Sequence, residues 1–93
     1  MDFEHRSEES RFVTTVEGGE AELSYRRIDG STLDFEHTYV PPALRGAGVA
    51  GKLVTEALEF ARNEGYRVRP SCPFVASFLE KHPEYRDVEE AKE

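Results

Sequence analysis

The spacing of apolar positions along the chain alternates between a period of about 2 and one of about 3.6, and each change of period marks an element. Residues 1–9 are polar, and only Phe3 offers an anchor. Arg11 to Val16 alternates and is rich in β-branched residues, which predicts a strand. Glu17-Gly18-Gly19-Glu20 reads as a hairpin turn through its glycine pair. Ala21 to Ile28 alternates again, with Ala21, Leu23 and Tyr25 on one face. Asp29-Gly30-Ser31 predicts a second tight turn. Thr32 to Val40 follows as a third strand, with Leu33, Phe35, His37 and Tyr39 on one side. The two hairpins in series give an antiparallel three-stranded meander. Pro41 and Pro42 end it, because neither can donate to a ladder.

The period then lengthens. Val49, Leu53, Val54, Ala57, Leu58 and Ala61 form an apolar stripe on a helix from about Val49 to Asn63, with Lys52, Glu56, Glu59 and Arg62 facing out. Gly65 is its expected stop. Tyr66 to Arg69 is a short strand closed by Pro70. A strand, a helix and a strand in that order imply a crossover, so the last strand lies parallel to its neighbour. Ser71-Cys72-Pro73 opens a second helix, Phe74 to about His82, with Phe74, Val75, Phe78 and Leu79 as its buried stripe. Pro83 ends it, and Tyr85 and Val88 are expected to pack the tail back onto the body. The fold class is therefore α+β with a mixed sheet, in one domain over 1–93 whose ordered core spans about 5–88.

Composition narrows the partners. The chain has 93 residues, 19 acidic and 12 basic, for a formal charge of −7. That balance argues against nucleic acid, which needs clustered Lys and Arg, and mildly favours a cationic substrate such as an amine. Much of the acid lies at the ends (Asp2, Glu4, Glu8, Glu9; Glu84, Asp87, Glu89, Glu90, Glu93) and reads as solvated surface. Six Phe and four Tyr supply a core without staples. A single cysteine excludes an internal disulfide. No apolar stretch approaches the ~18 residues of a membrane span, and no basic leader precedes an apolar run. A cytoplasmic protein with no membrane partner is expected. Three scattered histidines and a lone cysteine at no ligand spacing predict no metal site.

The chemistry concentrates at Arg45-Gly46-Ala47-Gly48-Val49-Ala50, between the third strand and the first helix. A glycine turn at a helix N-terminus presents free N–H groups at the positive end of the helix dipole, which is an anion site suited to phosphate. A Cβ at the glycines would hold a phosphate off the backbone. Neither GxxxxGK[ST] nor GxGxxG is present, which argues against a P-loop hydrolase or a dinucleotide fold. A plain turn packing helix on sheet is the simpler reading of the loop alone.

Other clusters accompany the loop: Arg11-Phe12, Ala21-x-Leu23-x-Tyr25, His37-Thr38-x-Val40-Pro41, Leu44-Arg45-Gly46-x-Gly48-Val49-Ala50, Pro70-x-Cys72-x-Phe74-Val75 and His82-Pro83-Glu84-Tyr85. With the order β-β-β-loop-α-β-α they resemble the GNAT acetyltransferase superfamily, whose coenzyme A pyrophosphate loop reads Gln/Arg-x-x-Gly-x-Gly/Ala. The chain is similar to a small branch that consists of the acetyl-coenzyme A-binding core alone, without the helices that help build the acceptor site. The resemblance covers about residues 5–88. It implies acetyl-coenzyme A as co-substrate, its pyrophosphate on the amides of Arg45, Gly46, Ala47, Gly48, Val49 and Ala50. It also implies pantetheine pairing with backbone at Tyr39 and Val40.

Two side chains carry candidate chemistry. Cys72 sits at a helix N-terminus, where the dipole favours thiolate, with Arg67 and Arg69 just upstream. An acetyl-cysteine step is open to it, and so is a role as small apolar filler. His37 could deprotonate an incoming ammonium or be a core histidine, since it is in line with Leu33, Phe35 and Tyr39. Glu36, one residue away, points to the other face and is the weaker base. His82 reads as a helix cap, and Tyr85 as a lesser candidate for the acid that protonates the coenzyme A thiolate. Two functions follow. One is acetyl transfer to a primary amine, with a protein tail or peptide suited to the open site, directly or through Cys72. The other is a non-catalytic acyl-coenzyme A sensor, which the lack of a clear glutamate base supports. A monomer or weak homodimer is expected.

Overall fold

The structure, a computed structural model, describes residues 2–16 and 19–91. Its elements are β1 (Phe3–Arg6), β2 (Arg11–Val16), β3 (Gly19–Arg27), β4 (Thr32–Tyr39), α1 (Val49–Glu64), β5 (Arg67–Arg69) and α2 (Pro73–Lys81). Five strands form one sheet in the order β1-β2-β3-β4-β5, antiparallel except for the parallel pair β4–β5. The α+β class and the crossover are as expected. Of the expected turn at 17–20, Glu17 and Gly18 lie outside the described residues.

The meander has one strand more than the polarity of the N-terminus suggested. β1 pairs with β2 from Phe3↔Thr14 to Arg6↔Arg11. His5 supplies its inward anchor in place of an aliphatic residue. Its ring stacks on Phe12 at 4.2 Å, meets Phe60 edge-on at 4.3 Å, and hydrogen-bonds Tyr25 Oη at 2.6 Å. An imidazole with an apolar body and one satisfied polar tip packs as an aromatic, which a polarity pattern does not register.

The core lies between one sheet face and the two helices. All six expected stripe residues of α1 are buried, against Phe12, Ala21, Leu23, Leu33 and Phe35 from the strands. Gly65 closes α1 at φ +79°, its N–H reaching the carbonyls of Ala61 and Arg62. The acidic ends are tied down rather than simply solvated. Arg62 holds Asp87 at 2.8 Å and the Glu84 carbonyl at 2.7 Å, and Arg69 forks onto Glu90 at 2.7 and 2.9 Å. The tail runs beside β5, where the Val68 N–H donates to Val88 and the Glu90 N–H to Val68. On the opposite sheet face Arg11 meets Glu9, Glu20 and Glu22 in a lattice with no helix over it.

A bulge in β4 changes the expected faces. Tyr25 pairs with Phe35, but Ser24 pairs with His37, so Glu36 is an extra residue. Leu33 and Phe35 are fully buried, whereas His37 and Tyr39 are exposed on the far side. The expectation that these four residues share one side is thereby corrected. Thr38, opposite Leu23, takes the inward position instead.

Two outcomes test this packing. Leu58→Ala should cost about 3 kcal/mol in urea unfolding, because Leu58 is fully buried in a packed core. Burial holds His5 below its ordinary value of 6.5, although Glu4, Glu56 and Glu59 line the same hollow. The unfolded chain therefore takes up this proton first as pH falls, and folding stability drops from about pH 6.5 downward. His5→Gln should flatten unfolding free energy between pH 7 and 5, leaving the separate carboxylate loss below about pH 4.

Candidate active site

Two backbone devices meet at one end of the sheet. The first is the glycine loop. After the 3-10 turn Pro42–Leu44, Gly46 at φ +90° and Gly48 at φ +78° turn the chain into α1. The Ala47 N–H donates to Leu44, and the first bond of α1 runs from Lys52 N–H to the Gly48 carbonyl. The amides of Gly46, Gly48, Val49, Ala50 and Gly51 have no backbone partner among the described residues, and no side chain caps the helix. A Cβ built at Gly46 or Gly48 would meet no atom within 4 Å, so it is the positive φ rather than crowding that calls for glycine there. The cleft there has a volume of about 290 Å³ and is lined by Val40, Leu44, Val49 and Phe74 with the loop. Its polar groups are mainly backbone donors, the composition an anion with an apolar tail requires.

The second device is a parting of strands. β4 and β5 pair only from Thr32↔Arg67 to Asp34↔Arg69. The next link is the Cys72 N–H to the Phe35 carbonyl at 2.9 Å. Beyond it β4 continues to Tyr39, paired on its other edge with Leu23 and Glu22, while the chain after Cys72 turns away into α2. A V with one free strand edge results.

Of the predicted residues, Tyr39, Val40, Arg45 and Cys72 lie at these two devices, and His37 does not. Tyr39 and Val40 lie at the end of the free edge, and the Val40 carbonyl accepts from Arg45 Nε at 3.0 Å. That contact braces the loop against the strand and leaves the Arg45 guanidinium exposed. Cys72 is the N-cap residue of α2, 5% exposed, and its thiol donates to Thr38 Oγ1 at 3.6 Å. Arg69 does not attend it, being held by Glu90. His37 stands on the opposite face of the sheet from Cys72, where the bulge puts it. Glu36 is ion-paired with Arg26 at 3.1 Å. Tyr85 is not free for acid chemistry. Its hydroxyl donates to Glu59 at 2.7 Å, and burial with that carboxylate raises it to about 12. His82 ends α2, stacked on Phe78 at 4.0 Å.

Four further residues belong to the site. Phe74, expected in the buried stripe of α2, is 42% exposed at the rim of the cleft, because Val75 and Leu79 fill the core without it. Thr38 faces Cys72. Lys52 and Phe78 line a groove of about 560 Å³ that shares Gly48 and Gly51 with the cleft. The one sequence signal for the rearranged face was the polar run Glu36-His37-Thr38, which breaks the alternation of β4. Among the described residues no group of His, Cys, Asp and Glu could hold a metal ion, and no helix is long and apolar enough to cross a membrane.

Comparison with known proteins identifies the family. Residues 11–88 match the family model of the GCN5-related N-acetyltransferases. Protein NATD1 of Bos taurus is 32% identical over 82 residues, covering 86% of this chain and 73% of that protein. NATD1 of Danio rerio is 30% identical over 86 residues, covering 88% and 78%. The solution structure of a GCN5-like protein from Staphylococcus aureus, 32% identical, superposes with a TM-score of 0.79 over 99% of this chain and 90% of that one. The chain belongs to the GCN5-related N-acetyltransferase family.

Gly48→Ala and Gly65→Ala should each lower stability by about 1 kcal/mol in urea unfolding, since both place a Cβ at positive φ at an end of α1. An unchanged midpoint for Gly48→Ala would contradict the left-handed cap.

Proposed function

We propose that the chain transfers an acetyl group from acetyl-coenzyme A to a primary amine. The observation that carries this is the set of amides without a backbone partner at Gly46, Gly48, Val49, Ala50 and Gly51, beside a strand edge that parts at Phe35. In this reading the free amides of Gly46, Gly48, Val49 and Ala50 hold the pyrophosphate and the Arg45 guanidinium adds a charge-assisted contact, whereas the expected amides of Arg45 and Ala47 are spent inside the turn on Pro42 and Leu44. Pantetheine lies along the free edge of β4 and pairs with backbone at Tyr39 and Val40. The thioester reaches the apex between Phe35 and Cys72. The groove at Lys52 and Phe78 takes the nucleotide end of the coenzyme.

The amine nitrogen attacks the thioester carbon, and negative charge builds on the carbonyl oxygen, where strand amides steady it. The C–S bond then breaks and coenzyme A leaves as thiolate. The proton lost by nitrogen passes to His37 or to water. Positioning supplies much of the rate. A second route is favoured by the place of Cys72 at the apex. Its sulfur takes the acetyl group first, and the amine then attacks the new thioester.

The open sheet face suits an extended acceptor, a protein tail or peptide, reaching a monomeric enzyme. A reducing compartment such as the cytoplasm suits a chain whose one cysteine stays a thiol. The competing reading is an acyl-coenzyme A sensor. The cleft lining holds no carboxylate, and Glu36 is engaged by Arg26.

Gly48→Glu should weaken acetyl-coenzyme A binding by calorimetry by about tenfold or more, a loss of about 1.4 kcal/mol, because it sets a carboxylate against the pyrophosphate. Unchanged affinity would remove the loop assignment. His37→Ala should lower kcat with a lysine peptide by about 100-fold at unaltered acetyl-coenzyme A affinity. An unaltered kcat would assign the proton to water. Retained acetyl mass on the wild type but not on Cys72→Ala would establish the covalent route. Binding without acetyl release to any amine would establish the sensor.

A further inference from the structure

Asp34 carries a carboxylate oxygen that the fold leaves without a donor. It lies on β4 one residue before the apex at Phe35, between Arg26 of β3 and Arg69 of β5 in the pairing register. Leu33 and Phe35 point into the core, so Asp34 points to the face that carries no helix. The residue is 5% exposed, and its Oδ1 is buried with no hydrogen-bond partner among the described residues. Its Oδ2 stands 3.6 Å from Arg26 Nη2. Both flanking guanidiniums are better engaged elsewhere, Arg26 by Glu36 at 3.1 Å and Arg69 by Glu90 at 2.7 and 2.9 Å. A buried carboxylate with an open lone pair is costly unless a donor completes it.

We propose that Asp34 is the anchor for the ammonium group of the acceptor, on the open face of the sheet beside the apex of the V. Its role in turnover rests on the acetyl-transfer reading, whereas binding of the ammonium does not. The chemistry favours a primary ammonium. That head is compact, carries three N–H donors, and enters where two planar guanidinium forks on either side do not reach. Arg26, whose side chain is 64% exposed, is the cover that moves aside. The bulge at Glu36 brings His37 out on this same face, opposite Ser24, while Cys72 stays on the inner side. An ammonium held at Asp34 is therefore on the same face of the sheet as His37. Asp34 binds the acceptor, and the geometry gives it no part in the thioester chemistry.

The probe is n-butylammonium chloride, titrated into the labelled full chain, with tetramethylammonium chloride and sodium chloride at matched ionic strength as controls. The expected result is a saturable shift of the Asp34 carboxylate carbon and of the amides of Arg26, Asp34 and Glu36. Tetramethylammonium, which has no N–H, should give no more than sodium does. Asp34→Asn should lose the response and unfold at the same or a higher urea midpoint, since it removes an incompletely paired buried charge. An equal response to tetramethylammonium, a response that survives Asp34→Asn, or silence at Asp34 would each overturn the anchor. If Asp34→Asn does not fold, the contrast between the two cations on the wild type decides alone. With n-butylamine and acetyl-coenzyme A, Asp34→Asn should raise KM for the amine by about tenfold, leaving KM for acetyl-coenzyme A within about twofold. Acetyl release with an unchanged amine KM overturns the anchor. Butylammonium binding at Asp34 without acetyl release leaves the anchor standing and removes the transferase reading.

Discussion

Glu36 is one residue too many for the ladder between β3 and β4, and the arrangement of the site depends on how the sheet absorbs it. Before the bulge, β4 turns Leu33 and Phe35 into the core and Asp34 outward. After it, the pleat is reversed, so that Thr38 faces inward and His37 and Tyr39 face out. Because side chains alternate with a period of 2, a single insertion moves every later residue to the other face. Without it, His37 would face inward and Thr38 would be turned from Cys72. The bulge also coincides with the point where β5 ends, so the strand loses one neighbour just where its pleat changes.

The rest of the fold holds that strand still. α1 grips the inner face through six buried residues and begins at the loop whose glycines leave its first amides free. The helix dipole and the free amides thus open beside the free edge of β4, a few residues along the same chain. On the other side, the tail closes the edge of β5 through Val88 and Glu90, and Arg62 and Arg69 fasten that tail with carboxylates. Exposed ion pairs contribute little singly. Their value here is that a 3-residue strand, which would otherwise be a bare edge, is paired on both sides.

Much of this was legible in the order of residues. The stripe of α1 and its glycine stop, the crossover, the loop and the position of Cys72 at the start of α2 all follow from period, glycine and proline. The features that were not legible have a common physical cause: each depends on a partner distant in sequence. β1 is a strand because His5 finds an aromatic slot made by Phe12, Phe60 and Tyr25. Phe74 is left at the surface because Val75 and Leu79 already fill the space above the sheet. Arg69 turns to Glu90 rather than Cys72, a choice made by the tail. The facing of His37 was hidden by a bulge whose only local trace is the polar run Glu36-His37-Thr38.

The central claim is that the free amides of the loop and the free edge of β4 are one acyl-coenzyme A site. A titration of the amide-labelled chain with acetyl-coenzyme A tests it directly. Saturable shifts are expected at Gly46, Gly48, Val49, Ala50 and Gly51 together with residues 36–40 and Cys72, at a common affinity. Silence of these amides at millimolar ligand, or loop shifts without any response along β4, would contradict it.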